Sequence, residues 1–142
     1  MLLDAMMKDG YFAQSYPKST GREKFNMAWL ESMLAKVEYG KVSAVDVQRT
    51  LLELTALSIT NEVSKFKTEV LLLCGGGAKN GFLVARIKAL LPKMEVHIAK
   101  QTDELEAMTF AWLAYKRIHN EKVNLKDVTG ASDNAVLGGM YA

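Results

Sequence analysis

The sequence contains a single cysteine, Cys74, among its 142 residues, and only two prolines. One cysteine excludes a disulfide framework within the chain. Cys74 closes an apolar run, where we expect it to be a small buried hydrophobe on a strand and not a catalytic thiol. A reduced cysteine also favours a reducing compartment, so we expect a cytoplasmic protein.

Charge of one sign and long apolar runs are scarce as well. The 18 Lys and Arg are scattered among 16 Asp and Glu, for a net charge of +2. This distribution gives no argument for a nucleic-acid-binding surface, which would need clustered Lys and Arg. No stretch approaches the roughly 18 apolar residues of a membrane span, and the first residues lack the basic start of a signal peptide. His97 and His119 have no metal-ligand spacing, so we expect both to be ordinary unpaired residues and expect no metal site.

Two stretches carry the start signals of helices. Thr20 and Glu23 have the spacing of a capping box, and apolar residues recur at three and four positions after them, which predicts a helix over about 21–38. Ser43 opens the same kind of signal for a second helix over 44–66. Apolar residues surround most of this second helix, which indicates packing on more than one side.

The middle of the chain has the pattern of a βαβ unit. An apolar run predicts a buried parallel strand over 69–74, and it is followed by a helix over 82–90 and a second strand over 95–99. A further helix over about 103–118, capped by Thr102, has acids at its start and bases at its end, as the helix dipole prefers. We therefore predict the α/β class, rich in helix, with a small and mainly parallel sheet.

A glycine turn joins the first strand to its helix, at Gly75, Gly76 and Gly77, with Asn80 shortly after. Consecutive glycines allow positive φ and close approach of a ligand, and a helix start offers amides to a phosphate or ribose. The spacing fails the P-loop pattern. It also lacks the third glycine of G-x-G-x-x-G, although Glu95 stands about where a ribose-binding acid would lie. A dinucleotide site and a turn without any ligand therefore stay open.

Four segments, in this order and spacing, resemble the C-terminal part of the anhydro-N-acetylmuramic acid kinases. The resemblance extends over nearly the whole chain and implies a ribonuclease H-like, actin-like ATPase domain from the sugar kinase, Hsp70 and actin superfamily. Residues 1–142 would then be the nucleotide-binding, C-terminal half of a two-domain kinase. The segments are Lys18–Glu23 with Phe25 and Asn26, Leu72–Asn80, Leu105–Ala107 with Phe110–Ala114, and Val128–Ala131.

The same resemblance implies a reaction and a site. Members of this family use ATP with Mg²⁺ to open the 1,6-anhydro ring of anhydro-N-acetylmuramic acid and phosphorylate O6. The product is N-acetylmuramic acid 6-phosphate, in peptidoglycan recycling. Gly75, Gly76, Gly77 and Asn80 fall on the motif that binds adenosine, and Glu106 falls on a glutamate that reaches the sugar. By its position alone, Glu106 is also a plausible dipole-favoured acid near a helix start.

The sequence departs from this family in two ways. Nothing matches the phosphate loop or the water-activating aspartate of the family's N-terminal domain, so we expect that domain to be absent, no catalytic residue here, Mg²⁺ held mainly elsewhere and an inactive isolated chain. The segment between Ile98 and Glu106 is also shorter than is usual, and it lacks the family's glycine-containing loop. Lys18 and Arg22 are candidates to face the cleft, without a catalytic role.

Two other classes of protein remain as alternatives. A dinucleotide-binding oxidoreductase domain would rest on the glycine spacing and on Glu95. A non-catalytic interaction module would use the apolar helix over 44–66 as a partner surface, which leaves a homodimer open.

Overall fold

The computed structural model describes residues 1–37, 42–100 and 102–141, without the side chains of Thr102 and Asp103. The predicted Thr102 cap therefore lies outside the described residues. The class is confirmed as helix-rich α/β with a small parallel sheet. The elements are α1 Leu2–Met7, α2 Gly10–Ala13, α3 Met27–Leu34, α4 Ala44–Val63, β1 Val70–Leu73, a 3₁₀ turn Gly76–Lys79, α5 Gly81–Leu90, β2 Glu95–Ile98, α6 Thr102–Ile118 and α7 Lys126–Thr129.

The βαβ unit is present as predicted. Strands β1 and β2 pair in parallel, with Val70 opposite Glu95 and Leu73 opposite Ile98. Helix α5 forms the crossover between them, as parallel neighbours require. The carboxyl ends of both strands therefore meet at the edge of the sheet where the glycine turn begins.

The two faces of this sheet have different surroundings. Leu71, Leu73 and Val96 pack towards α4 and α5, whereas Leu72 on the opposite face is 63% exposed. The prediction of a buried strand is therefore wrong for β1, which is half-buried on one face and exposed on the other. Cys74, two positions after Leu72 and so on the same side, is exposed, which corrects its assignment as a buried residue.

Helix α4 lies between two clusters of buried side chains. Its Leu54 belongs to the first cluster, with Met6 of α1 and Met33 of α3, and its Ala56 belongs to the second, with Ile87 of α5. The prediction of packing on more than one side is confirmed. Because α1, α3 and α5 cover this helix, its use as a bare partner surface is not supported.

The helix starts show one success and one error. Ser43 caps α4 as predicted, since its Oγ accepts a hydrogen bond from the Asp46 amide at 3.2 Å.

The helix predicted over 21–38 is only Met27–Leu34, and its cap is Asn26, whose Oδ1 accepts from the Trp29 amide at 3.0 Å. Glu23 instead accepts from the Gly21 amide within a separate turn, so the Thr20 capping box is not formed.

Candidate functional site

The glycine turn is a tight reversal between β1 and α5. Gly75 has φ 77° and ψ −173°, a combination that is essentially restricted to glycine. The Ala78 amide donates to the Gly75 carbonyl and the Asn80 amide donates to the Gly77 carbonyl, both at 3.1 Å. The buried Ala78 side chain anchors the turn to the domain, so the three glycines are held at the surface.

The space above these glycines is open. Among the described residues, a methyl group placed on Gly75 or Gly76 would meet no atom within 4 Å, and one on Gly77 would meet only the Leu83 side chain, at 3.7 Å. The hypothesis of an adenosine site requires a backbone that a ligand can approach, and no described side chain lies within 4 Å of a methyl group at Gly75 or Gly76. The glycines are therefore not explained by crowding within the described residues.

Asn80 has a structural task at this turn. Its Oδ1 accepts hydrogen bonds from the amides of Phe82 at 3.2 Å and Leu83 at 3.1 Å, so it caps α5. A cap satisfies amides that a helix start leaves without an intrahelical partner. Asn80 therefore fixes the orientation of α5 relative to the glycines, and this role does not depend on a ligand at the turn.

We predict that the cap accounts for a measurable part of the stability. Asn80→Ala removes the acceptor and should lower the free energy of unfolding by about 1 kcal/mol, within a usual range of about 0.5–2. Asn80→Asp keeps an acceptor and adds a charge that the helix dipole favours, so it should unfold at the wild-type urea concentration or higher. Urea denaturation of the three chains would contradict this if Asn80→Ala matched the wild type.

Charged and aromatic side chains hold α5 against α4 beside the turn. Arg86 forms a two-pronged ion pair with Glu53, at 2.6 Å between Nη2 and Oε1 and 2.8 Å between Nε and Oε2. Hydrogen bonding from Arg86 holds the pKa of Glu53 below its ordinary value, against the opposing effect of desolvation. The Arg49 guanidinium also lies 4.3 Å from the centre of the Phe82 ring. These contacts join residues far apart in sequence, so no short sequence pattern predicts them.

The position of Glu95 does not favour a dinucleotide site. Glu95 opens β2 opposite Val70, so it lies at the amino end of the sheet, whereas the glycine turn follows the carboxyl end of β1. Ligands of open α/β sheets bind at the carboxyl ends of the strands. Glu95 instead contacts His97, with Oε2 and Nε2 3.1 Å apart, which corrects the expectation that His97 is unpaired.

The remaining residues singled out from the sequence lie in different places. Glu106 is an exposed residue of the second turn of α6. Arg22 is exposed.

Lys18 does not face open space, because its ammonium donates to Glu62 at 2.7 Å and to the Gln14 carbonyl at 3.0 Å, and it lies over the Tyr11 ring. Lys18 therefore ties the α2 region to the end of α4, which sequence reasoning did not foresee.

Among residues 1–37, 42–100 and 102–141, no three or more His, Cys, Asp or Glu side chains assemble into a group that could hold a metal ion. None of the helices described there has both the length and the apolar character needed to cross a membrane.

Fold and site together define an α/β protein with an open glycine turn between a parallel strand and its helix. A sequence model of the anhydro-N-acetylmuramic acid kinase family matches residues 1–142. The chain therefore belongs to the anhydro-N-acetylmuramic acid kinase family, which confirms the resemblance noted in the sequence.

Individual relatives agree with this assignment. The chain is 64% identical over 140 residues to the anhydro-N-acetylmuramic acid kinase of Sulfurovum sp. strain NBC37-1, covering 99% of this chain and 39% of that protein. It is 50% identical over 147 residues to the kinase of that name from Vibrio cholerae, with the same two coverages. The chain thus spans about 39% of the length of the curated relatives it matches.

Proposed function

We propose that this chain is the C-terminal, nucleotide-binding part of a kinase acting on anhydro-N-acetylmuramic acid. The whole enzyme would use ATP and water to open the 1,6-anhydro ring and phosphorylate O6, giving N-acetylmuramic acid 6-phosphate for peptidoglycan recycling. The names of the relatives support the substrate. The observation that carries the nucleotide role is the open backbone at Gly75 and Gly76, at the carboxyl end of β1.

The glycine turn would hold the adenosine end of ATP. Gly75, Gly76 and Gly77 present backbone without side chains, so a ribose or a base can come within van der Waals distance of it. Asn80 fixes the start of α5, whose dipole favours the negative charge of nearby phosphates. In this proposal the turn serves binding and orientation, and it breaks no bond itself.

The sugar contact would fall to Glu106, whose exposed position on α6 leaves its carboxylate accessible. In phosphoryl transfer, catalysis is mostly positioning and neutralisation of charge, with Mg²⁺ on the phosphates and a carboxylate orienting the nucleophile. In this proposal the rest of the enzyme binds the Mg²⁺ and supplies that carboxylate, and this chain contributes no catalytic residue. We further propose a ribonuclease H-like domain in which β1 and β2 are part of a larger sheet.

The isolated chain would then bind nucleotide without turning it over. Nucleotide and sugar sites contributed by two domains are complete only when the cleft between them closes. A cytoplasmic location fits the supply of ATP and the exposed free thiol of Cys74, which a reducing compartment protects.

We predict that Mg²⁺-ATP raises the melting temperature of this chain. A ligand that binds only the folded state adds about 2.7 kcal/mol at a concentration 100 times its Kd. Gly76→Val should abolish the shift, because its side chain occupies the space that the ligand needs. The ligand-free protein should melt close to the wild type, since a Cβ at this position meets no described atom within 4 Å. The measurement is a thermal shift at several concentrations of ATP.

Two controls make this test specific. Gly10→Val also places a side chain in open space, but on α2, so it should keep the ATP-dependent shift. NAD should give a smaller shift than ATP at equal concentration. A shift with NAD but none with ATP, or an undiminished ATP shift in Gly76→Val, would reject the proposed site.

A further inference from the structure

Helix α6 carries a stripe of large apolar side chains in contact with solvent. Leu105, Met108, Trp112 and Tyr115 follow one another at intervals of three, four and three residues, so they line one side of the helix. Their exposed fractions lie between 46% and 64%. Monomeric proteins seldom leave such a row uncovered, and exposed contiguous apolar surface marks a site of association. We call these four residues the α6 stripe.

The opposite side of α6 is apolar as well. Phe110 and Ile118 line a groove of about 610 Å³ between the helix and the chain segment 137–140. Phe110 is 65% exposed and Ile118 is 73% exposed, so solvent reaches the groove at both residues. A helix that is apolar on both sides is typical of the interior of a larger protein. Within the described residues, α6 therefore exposes more apolar surface than is typical of a helix that is apolar on both sides.

The kind of partner follows from the chemistry of the stripe. Trp, Tyr and Met are enriched at protein interfaces, and permanent interfaces are the more apolar ones. The stripe itself includes no charged residue. More than half of each relative lies outside the part that this chain matches, since the match spans 39% of their length. In those relatives, more than half of the polypeptide is therefore available to cover the stripe.

We propose that the α6 stripe is the docking surface for the portion of the family's enzyme that lies outside the matched 39%. This inference rests on membership of the family and not on the nucleotide proposal. It goes beyond that proposal because it assigns a second task to the helix that carries Glu106. Docking along the stripe fixes α6 against the rest of the enzyme, and it thereby sets where the Glu106 carboxylate stands.

The test compares the accessibility of Met108 in two proteins. Met108→Cys is made with Cys74→Ser, once in this chain and once in a chimera in which residues 1–142 replace the matching part of the Sulfurovum kinase. Maleimide labelling of residue 108 is followed by peptide mass spectrometry. We expect labelling at least tenfold slower in the chimera, because the stripe is covered there. Cysteine is smaller than methionine, so the substitution itself does not block docking.

The matched control is Val45→Cys in the same Cys74→Ser background. Val45 lies in the first turn of α4 and is 74% exposed, so it should label at the same rate in both proteins. Equal labelling of residue 108 in the two proteins would overturn the proposal. Protection of residue 108 in the isolated chain that rises with its concentration would also overturn it, because the occupant would then be a second copy. The labelling of residue 108 does not depend on whether ATP raises the melting temperature, so the docking proposal and the nucleotide proposal can fail separately.

Discussion

Replacing Ile87 with alanine should lower the free energy of unfolding by about 3 kcal/mol, within the roughly 2–5 kcal/mol usual for such truncations. Ile87 is 1% exposed and lies on α5, where it packs with Ala56 of α4 and Val96 of β2. The substitution removes three carbon atoms from the point where both helices meet the sheet. The cavity that remains costs further free energy, because the surrounding main chain relaxes only in part.

Urea denaturation followed by circular dichroism measures this effect. A native domain is stable by only about 5–15 kcal/mol, so Ile87→Ala should move the midpoint to a clearly lower urea concentration. Val45→Ala also truncates a β-branched side chain, by two carbon atoms at an exposed position, and should change the free energy by less than about 0.5 kcal/mol. Equal effects of the two substitutions would mean that the second cluster does not hold α4, α5 and the sheet together.

The second large effect is expected at Gly75, whose backbone is unfavourable for any side chain. Gly75→Ala should lower the free energy of unfolding by about 1–3 kcal/mol, because φ 77° with ψ −173° is strained for alanine. Gly76→Ala is the matched control, since a methyl group meets no atom within 4 Å at either position and only Gly75 has a positive φ. The comparison therefore separates backbone strain from crowding.

Thermal denaturation without ligand measures the strain at this turn. Gly76→Ala should melt within a degree or two of the wild type, and Gly75→Ala should melt several degrees lower. If both variants melted alike, the conformation of Gly75 would not be an obligatory feature of the turn. With ATP present, the proposed site requires Gly75→Ala to bind more weakly as well, because relief of the strain moves the backbone that the ligand contacts.

Elements that depend on local signals were largely predictable. The Ser43 cap and the apolar recurrence after it predicted α4, and the glycine turn marked the start of α5. The parallel pairing of β1 and β2 followed from the βαβ pattern. In each case the signal lies within a few residues of the element. The error at α3 arose because two caps competed, and Asn26 prevailed while Glu23 bonded Gly21.

The candidate site was predictable only in part. The glycine turn was located from three consecutive residues, and its open space agrees with the reason given for them. The ion pair between Glu53 and Arg86 was not foreseen, because it joins residues 33 positions apart on different helices. Lys18 was named from the sequence only as a candidate to face the cleft, and its ion pair with Glu62, across 44 positions, was not foreseen. Such partners depend on how the helices pack, which a single sequence does not specify.

The amino-acid sequence alone determined the class, the order of the central elements, the position of the glycine turn and the family. These depend on hydrogen bonds and side-chain periodicity within short stretches, and on motifs that stand in a fixed order. The tertiary structure decided which face of β1 is covered, why Cys74 and the α6 stripe remain exposed, and where the Lys18 ammonium is bound. The physical reason is that burial and ion pairing depend on segments distant in the chain, and only packing brings those segments together.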